Sequence, residues 1–197
     1  GGNFWRITGD ADGGGTWKSV LSMATAQDGL EPFVGPGAWN DPDMLMLGKI
    51  GLGKLTQTTL TPNEQYAHVS LWCLFSAPLL FGGDMTQLDA FTLNLLTNDE
   101  VLEVDQDPLG RAAEVWGSRL DSGKVWGKWM EDGSAVVGIL NGGPIVKEVS
   151  FSLKDAGMDG VWQMRDLWRQ QDIGNAQGSY SVTLPSHAIQ LVRLWKN

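Results

Sequence analysis

Cysteine and histidine are nearly missing from this 197-residue chain, which has one Cys and two His. A lone thiol, Cys73 in the apolar run Leu71-Trp72-Cys73-Leu74-Phe75, excludes an internal disulfide and reads as a buried, inert side chain. No His/Cys cluster has metal-ligand spacing, so no metal is expected. Basic residues are also scarce: 14 Lys and Arg stand against 23 Asp and Glu, a formal charge of −9. Nucleic-acid phosphates would be repelled by that balance. No apolar run reaches the roughly 18 residues of a membrane span, and no charged-then-apolar leader is present. An Asn-x-Ser/Thr sequon is absent, which disfavours a secreted eukaryotic glycoprotein. The glycine-rich stretches around Gly13 and Gly82 lack the Lys-Ser/Thr of a phosphate loop.

What the chain does have is tryptophan, ten in all, within a hydrophobic fraction of 42%. That is enough for a sizeable core and for one or two domains. Most of the indoles should be core residues, although indoles also form stacking surfaces for sugars. Two stretches place carboxylates beside an indole at the end of a short apolar run: Asn3-Phe4-Trp5-Arg6-Ile7-Thr8-Gly9-Asp10 and Gly35-Pro36-Gly37-Ala38-Trp39-Asn40-Asp41-Pro42-Asp43-Met44. Carboxyl groups and flat aromatic faces are the chemistry of glycosidic cleavage, where an acid serves the bridging oxygen and a ring packs on the sugar's C–H face.

In the first stretch, Gly9 lets a strand end turn and present Asp10 to a cleft. Asp10 suits a general acid/base, and Arg6 on the same strand could hold a sugar hydroxyl. A plain Arg6–Asp10 surface pair fits the spacing equally well. In the second, Pro42 fixes the backbone between Asp41 and Asp43, so the two acids point different ways. One can accept backbone amides and hold the loop while the other reaches substrate. Alone, that segment reads better as an Asx-turn with solvated carboxylates. Beside Asp10 the balance moves to function.

The texture changes near Gly110. Before it, apolar runs alternate with helical patterns: a strand over residues 3–8, a helix over 17–26 capped by Thr16, and a capping box at Thr61-Pro62-Asn63-Glu64. That box opens a helix through residue 76, with Tyr66, Val69, Trp72 and Cys73 on its buried side. A buried strand over 77–81, a helix over 89–96 and a short extended piece over 100–105 follow. This order is that of parallel α/β architecture, where polar residues at the C-terminal strand ends carry the chemistry. After Gly110, short strands over 123–130, 135–140, 145–153, 160–167, 180–184 and 188–195 suggest an antiparallel sandwich or small barrel. The expected division is 1–110 and 111–197. His68 reads as a hydrogen-bonded structural histidine on its helix, His187 as a turn residue without chemistry. Asp105-Gln106-Asp107-Pro108-Leu109-Gly110 reads as a segment fixing the boundary.

Taken together, the motifs resemble glycoside hydrolase family 27, the family of α-galactosidases and α-N-acetylgalactosaminidases. The match runs in order through the two stretches above, Leu71-Trp72 with Ala77-Pro78-Leu79-Leu80, Asp105 to Gly110, Arg165-Asp166-Leu167-Trp168 and Pro185-Ser186-His187. The resemblance implies an α/β plus all-β chain: the last strand–helix units of an (α/β)8 TIM barrel, then an antiparallel β-sandwich. It implies a retaining hydrolase of terminal α-linked galactose, with no metal or organic cofactor. The family's acid/base aspartate falls on Asp10, its sugar-contacting arginine on Arg6, and its pocket-lining Asp-Met pair on Asp43 and Met44. Trp39 and Asp41 fall in the same loop as further substrate-binding candidates. The family's nucleophilic aspartate, on the fourth strand, has no counterpart here, because the chain opens at what would be the sixth. The expectation is therefore an incomplete catalytic unit, inactive alone, that needs the N-terminal half of the barrel. The expected partner is a galactoside, with no nucleic acid and no membrane. A secreted or periplasmic location is expected, with the signal region outside this chain.

Two rival readings accompany this one. A non-catalytic carbohydrate-binding module would use Trp116, Trp126, Trp129, Trp162, Trp168 and Trp195 as a platform. A same-family enzyme acting on N-acetylgalactosamine or β-L-arabinopyranose would share every motif named.

Overall fold

The structure, a computed structural model, describes residues 2–13, 15–51, 53–117 and 123–196. Its first elements are β1 (Phe4–Arg6), α1 (Trp17–Thr25) and β2 (Trp39–Asp41). Strands β1 and β2 pair in parallel, with Phe4 opposite Trp39 and Arg6 opposite Asp41. A two-residue pair, β3 (Lys49–Ile50) and β4 (Thr56–Gln57), precedes α2 (Pro62–Leu74), α3 (Ala90–Thr97) and α4 (Asp99–Asp105). Thr16 caps α1 by accepting the Ser19 amide. Thr61 and Glu64 form the expected capping box on α2, with Pro62 in its first turn.

Helix α2 is the structural axis. Ten of its 13 residues are buried, and they lie on every side rather than on one stripe. Six of the ten are apolar, and a helix enclosed on every side shows no single apolar stripe. The single buried face expected from Tyr66, Val69, Trp72 and Cys73 is therefore corrected: Tyr66 is only half-buried, while Leu71, Leu74 and Ala67 are wholly enclosed. On one side α2 meets α1 and α4, and on the other the strands β6, β7 and β12 described below. One hydrophobic cluster accordingly joins Val20, Trp72 and Val101 to Trp126, Val136 and Leu191.

The second region comprises β5 (Glu114–Val115), β6 (Gly123–Trp129), β7 (Ala135–Asn141), β8 (Lys147–Ser152), β9 (Val161–Asp166), β10 (Gln171–Gln177), β11 (Ser179–Leu184) and β12 (Ile189–Lys196). They form one antiparallel sheet in the order β5-β6-β7-β12-β9-β10-β11-β8. The sheet turns back on itself, so that edge strand β8 packs against β6 and β7. A second cluster, including Val125, Val137, Phe151, Trp162 and Met164, fills the enclosed space.

Three expectations are corrected, and one strand falls where none was expected. Residues 100–105 are helical, because Asn98 accepts the Val101 amide as N-cap and Asp99 and Glu100 suit the positive first turn. Residues 77–81 make a single parallel bridge, Phe81 with Leu45, instead of a strand ladder; Pro78 has no N–H to donate. Strand β10 has no alternating apolar face, being exposed at five of its seven positions. His68 is buried, but neither ring nitrogen has a hydrogen-bond partner among the described residues. Burial pushes its imidazole down to about 3, so it sits neutral against Trp72, ring centroids 4.2 Å apart and edge-on. Cys73 is a buried thiol whose acidity burial suppresses.

Candidate active site

The ends of β1 and β2 gather three charged side chains. Parallel pairing sets Arg6 beside Asp41, and the ladder extends one step further as the Ile7 amide donates to Asp41 O. Thr8 Oγ1 donates to Pro42 O at 2.9 Å and ties the two departing loops together. Arg6 Nη2 then lies 3.0 Å from Asp43 Oδ2 and 3.3 Å from Asp10 Oδ1, while also donating to Gly9 O at 2.9 Å. One guanidinium thus links the two sequence motifs.

The three carboxylates of these motifs have different surroundings. Asp10 is free on its outer side, with 97% of its side chain exposed. Asp43 is buried, and its Oδ2 also accepts the Ala11 amide at 2.5 Å. Asp41 is buried too, and its Oδ1 accepts the Asp43 amide at 2.8 Å, the loop-holding bond that the Pro42 geometry led one to expect. Asp43 carries a φ of 96°, a region that non-glycine residues rarely occupy. The strain is held from all sides, since the Asp43 carbonyl accepts the Trp72 indole N–H at 2.7 Å. Sequence reading did not find that bond or the Ala11 amide; no local pattern announces a contact 29 or 32 positions away.

Met44 follows directly, half-buried against the first core and near Gly82. Trp39 stands apart from the cluster. Its ring lies against Gly110, and it lines a separate cleft of about 480 Å³ with Phe4, Pro36, Ala77, Leu79 and Asp107. The structure therefore brings together Arg6, Asp10, Asp41 and Asp43, places Met44 beside them, and does not bring Trp39 to them. Among the described residues no group of three or more His, Cys, Asp or Glu could hold a metal ion.

The indoles of the second region are engaged in packing. Trp116, Trp126 and Trp162 are buried, and Trp129 is wedged between Trp116 and Trp162. Trp168 donates to Ser70 Oγ at 2.8 Å, and Arg193 covers Trp195. His187, expected to be an idle turn residue, instead joins the two regions. Its Nδ1 lies 2.5 Å from Glu64 Oε1, and its ring stacks on Trp17 with centroids 4.9 Å apart. Asp107 Oδ2 accepts the Glu131 amide at 2.9 Å across the same junction.

Comparison with known proteins follows the same lines. A family profile described as "Alpha galactosidase A" matches residues 2–107, and one described as "Alpha galactosidase C-terminal beta sandwich domain" matches residues 111–194. Alpha-galactosidase 3 of Arabidopsis thaliana is 34% identical over 192 residues, covering 94% of this chain and 41% of its own length. The alpha-galactosidase of Cyamopsis tetragonoloba is 35% identical, over 96% of this chain and 44% of its own. This chain therefore spans under half the length of these relatives. Among solved structures, a β-L-arabinopyranosidase of family GH27 from Geobacillus stearothermophilus superposes with a TM-score of 0.91 at 35% identity, covering 98% of this chain and 45% of that one. Alpha-galactosidase I from Mortierella vinacea shares the fold at a TM-score of 0.85 and 23% identity, over 99% and 53%. The two profiles and these relatives, which between them span nearly every residue, establish that the chain belongs to the α-galactosidase family of glycoside hydrolases, family 27.

Proposed function

We propose that this chain supplies the acid/base side of a retaining glycosidase site that releases terminal α-linked galactose. The observation that carries the reading is the shared guanidinium: Arg6 joins exposed Asp10 to buried, strained Asp43 at one end of a parallel strand pair. Asp10, the carboxyl with an open face, donates a proton to the departing oxygen and then takes one from water. Arg6 and Asp43 bind sugar hydroxyls, Met44 packs on the ring, and Asp41 keeps the loop in shape. Trp39 supports the loop from behind.

In this reading residues 1–110 are the closing strand–helix units of an (α/β)8 barrel and 111–197 are the sandwich domain. A retaining mechanism needs a second carboxyl group roughly 5–5.5 Å from the first. That nucleophile would come from the preceding part of the barrel, so the 197 residues alone are expected to be inactive. Parallel pairing of β1 with β2 and the names of the curated relatives support this assignment. The Geobacillus relative favours a second substrate, since L-arabinopyranose differs from galactose only in lacking the hydroxymethyl group. The burial of Trp116, Trp126 and Trp162, with Trp129 wedged between two of them, counts against a platform built on those indoles.

The test is Asp10→Ala in the protein with its barrel complete. Turnover of unactivated galactosides should fall by about 10²–10⁴, with a smaller loss for a nitrophenyl galactoside, whose leaving group needs no proton. Azide should restore turnover of the nitrophenyl substrate and yield galactosyl azide, because it attacks the glycosyl-enzyme without a general base. Uniform loss on both substrates without azide rescue would remove Asp10 from the acid/base role.

A further inference from the structure

Away from the carboxylate cluster, a pocket of about 360 Å³ opens between α2 and the sheet. Its size lies within the about 300–1,000 Å³ usual for small-ligand clefts. Tyr66 and Trp168 line it, packed edge-on at 4.8 Å and each half-buried. Its charged lining, among the described residues, consists of Asp166 and Arg169 alone. They are paired at 2.8 Å, so the pocket carries no net charge. The Asp166 carboxylate is buried and fixed further by the Arg169 amide and by Gln190 Nε2.

The hydrogen-bonding capacity left over is distinctive. The Arg169 side chain is 71% exposed, and its nitrogens other than Nη1 have no partner among the described residues. The Tyr66 hydroxyl is likewise unpartnered there, as is Asn63 Oδ1, whose Nδ2 is occupied by Ser186 O. Forked donors, an acceptor and a hydroxyl that serves as either, set beside two aromatic rings, complement a molecule with adjacent hydroxyls and an apolar C–H face. Cancelled charge disfavours acids and phosphates as occupants. We infer that this pocket is a second carbohydrate site that binds a neutral pyranoside. The inference does not depend on the reading of the carboxylate cluster.

Melibiose, which offers two neutral pyranose rings, is a suitable probe for the 197-residue chain. Titration followed by two-dimensional NMR should shift the Trp168 indole N–H saturably. Tyr66→Phe and Arg169→Ala should each weaken binding, the latter by about tenfold or more, as expected for a lost charge-assisted hydrogen bond. Spectra of the free variants report whether the fold is intact, and Tyr66→Phe removes only one oxygen. Glucose 6-phosphate and glucuronate should bind more weakly than melibiose. No saturable shift at Trp168, shifts confined to the Trp5 indole and the Ala11 amide, unchanged affinity in both variants, or tighter binding of the charged sugars would each overturn the proposal.

Discussion

Asp43 sits at a φ of 96° because it is held from several sides: its N–H by Asp41, its carbonyl by Trp72, and its Oδ2 by Arg6 and the Ala11 amide. Strained backbone of this kind costs about 1–3 kcal/mol and persists only where its surroundings enforce it. Replacing Asp43 by Ala or by Gly removes the same carboxylate, but only glycine relaxes the backbone. Asp43→Gly should therefore be the more stable variant by about 1 kcal/mol in urea unfolding. Equal midpoints would mean that the strain is not stored there. Asp105 gives a pH signature at the same scale. Burial pushes its carboxyl up to about 6, against an ordinary value near 4. The folded state thus holds this proton more tightly than the unfolded one. Its stabilising contribution is complete at low pH and is lost as pH rises through about 6. Asp105→Asn should flatten the dependence of the urea midpoint between about pH 4 and 6.5. An unchanged slope would exclude Asp105 as its source.

At the scale of elements, α2 docks on β7 where Gly138 leaves room. A methyl group at Gly138 would stand 2.5 Å from Leu74 Cδ1. Gly138→Ala should cost about 1–3 kcal/mol through overpacking, read as a lowered thermal midpoint. A neutral substitution would show that the interface yields. Such packing is invisible in the sequence, whereas the start of α2 is plain in Thr61-Pro62-Asn63-Glu64, which fixes a cap and a first turn by local chemistry alone. The hairpin joining β6 to β7 is similarly legible, with Glu131-Asp132-Gly133-Ser134 between two apolar runs. Helix α4 hid because its seven residues are too few to display a period, and its one signal is the Asn98 cap. Strand β10 hid because edge-like, exposed residues need no alternation, and its pairing comes from β9 rather than from its own pattern. For the site, the Arg6–Asp10 pair was readable from spacing, while the place of Asp43 beside them came from the family resemblance. The left-handed turn at Asp43 and its distant bonds come from tertiary packing, and no local residue encodes them.

For the whole molecule, the two textures of the sequence share a core. Trp126, Val136 and Leu191 of the sheet belong to the same apolar cluster as Val20 and Trp72. Lys128 of β6 donates to Cys73 O in the last turn of α2 and to Ser76 Oγ just beyond it, answering one of the carbonyls at the helix end. Residues 1–110 expressed alone would expose this surface. They should show helical far-ultraviolet circular dichroism without a cooperative thermal transition. A sharp transition of their own would show that the first region is independently stable.

The indole bond from Trp72 to Asp43 has a consequence for what the sheet is for. Trp72 rides on a helix clamped by the sheet, and its indole N–H fixes the turn that, on the proposed function, aims the Asp43 carboxylate at substrate. The C-terminal strands thus act as a keystone rather than a passenger: a lesion in them would reach the Asp43 turn through a single rigid strut. Inactivating lesions should therefore include residues that no ligand ever touches.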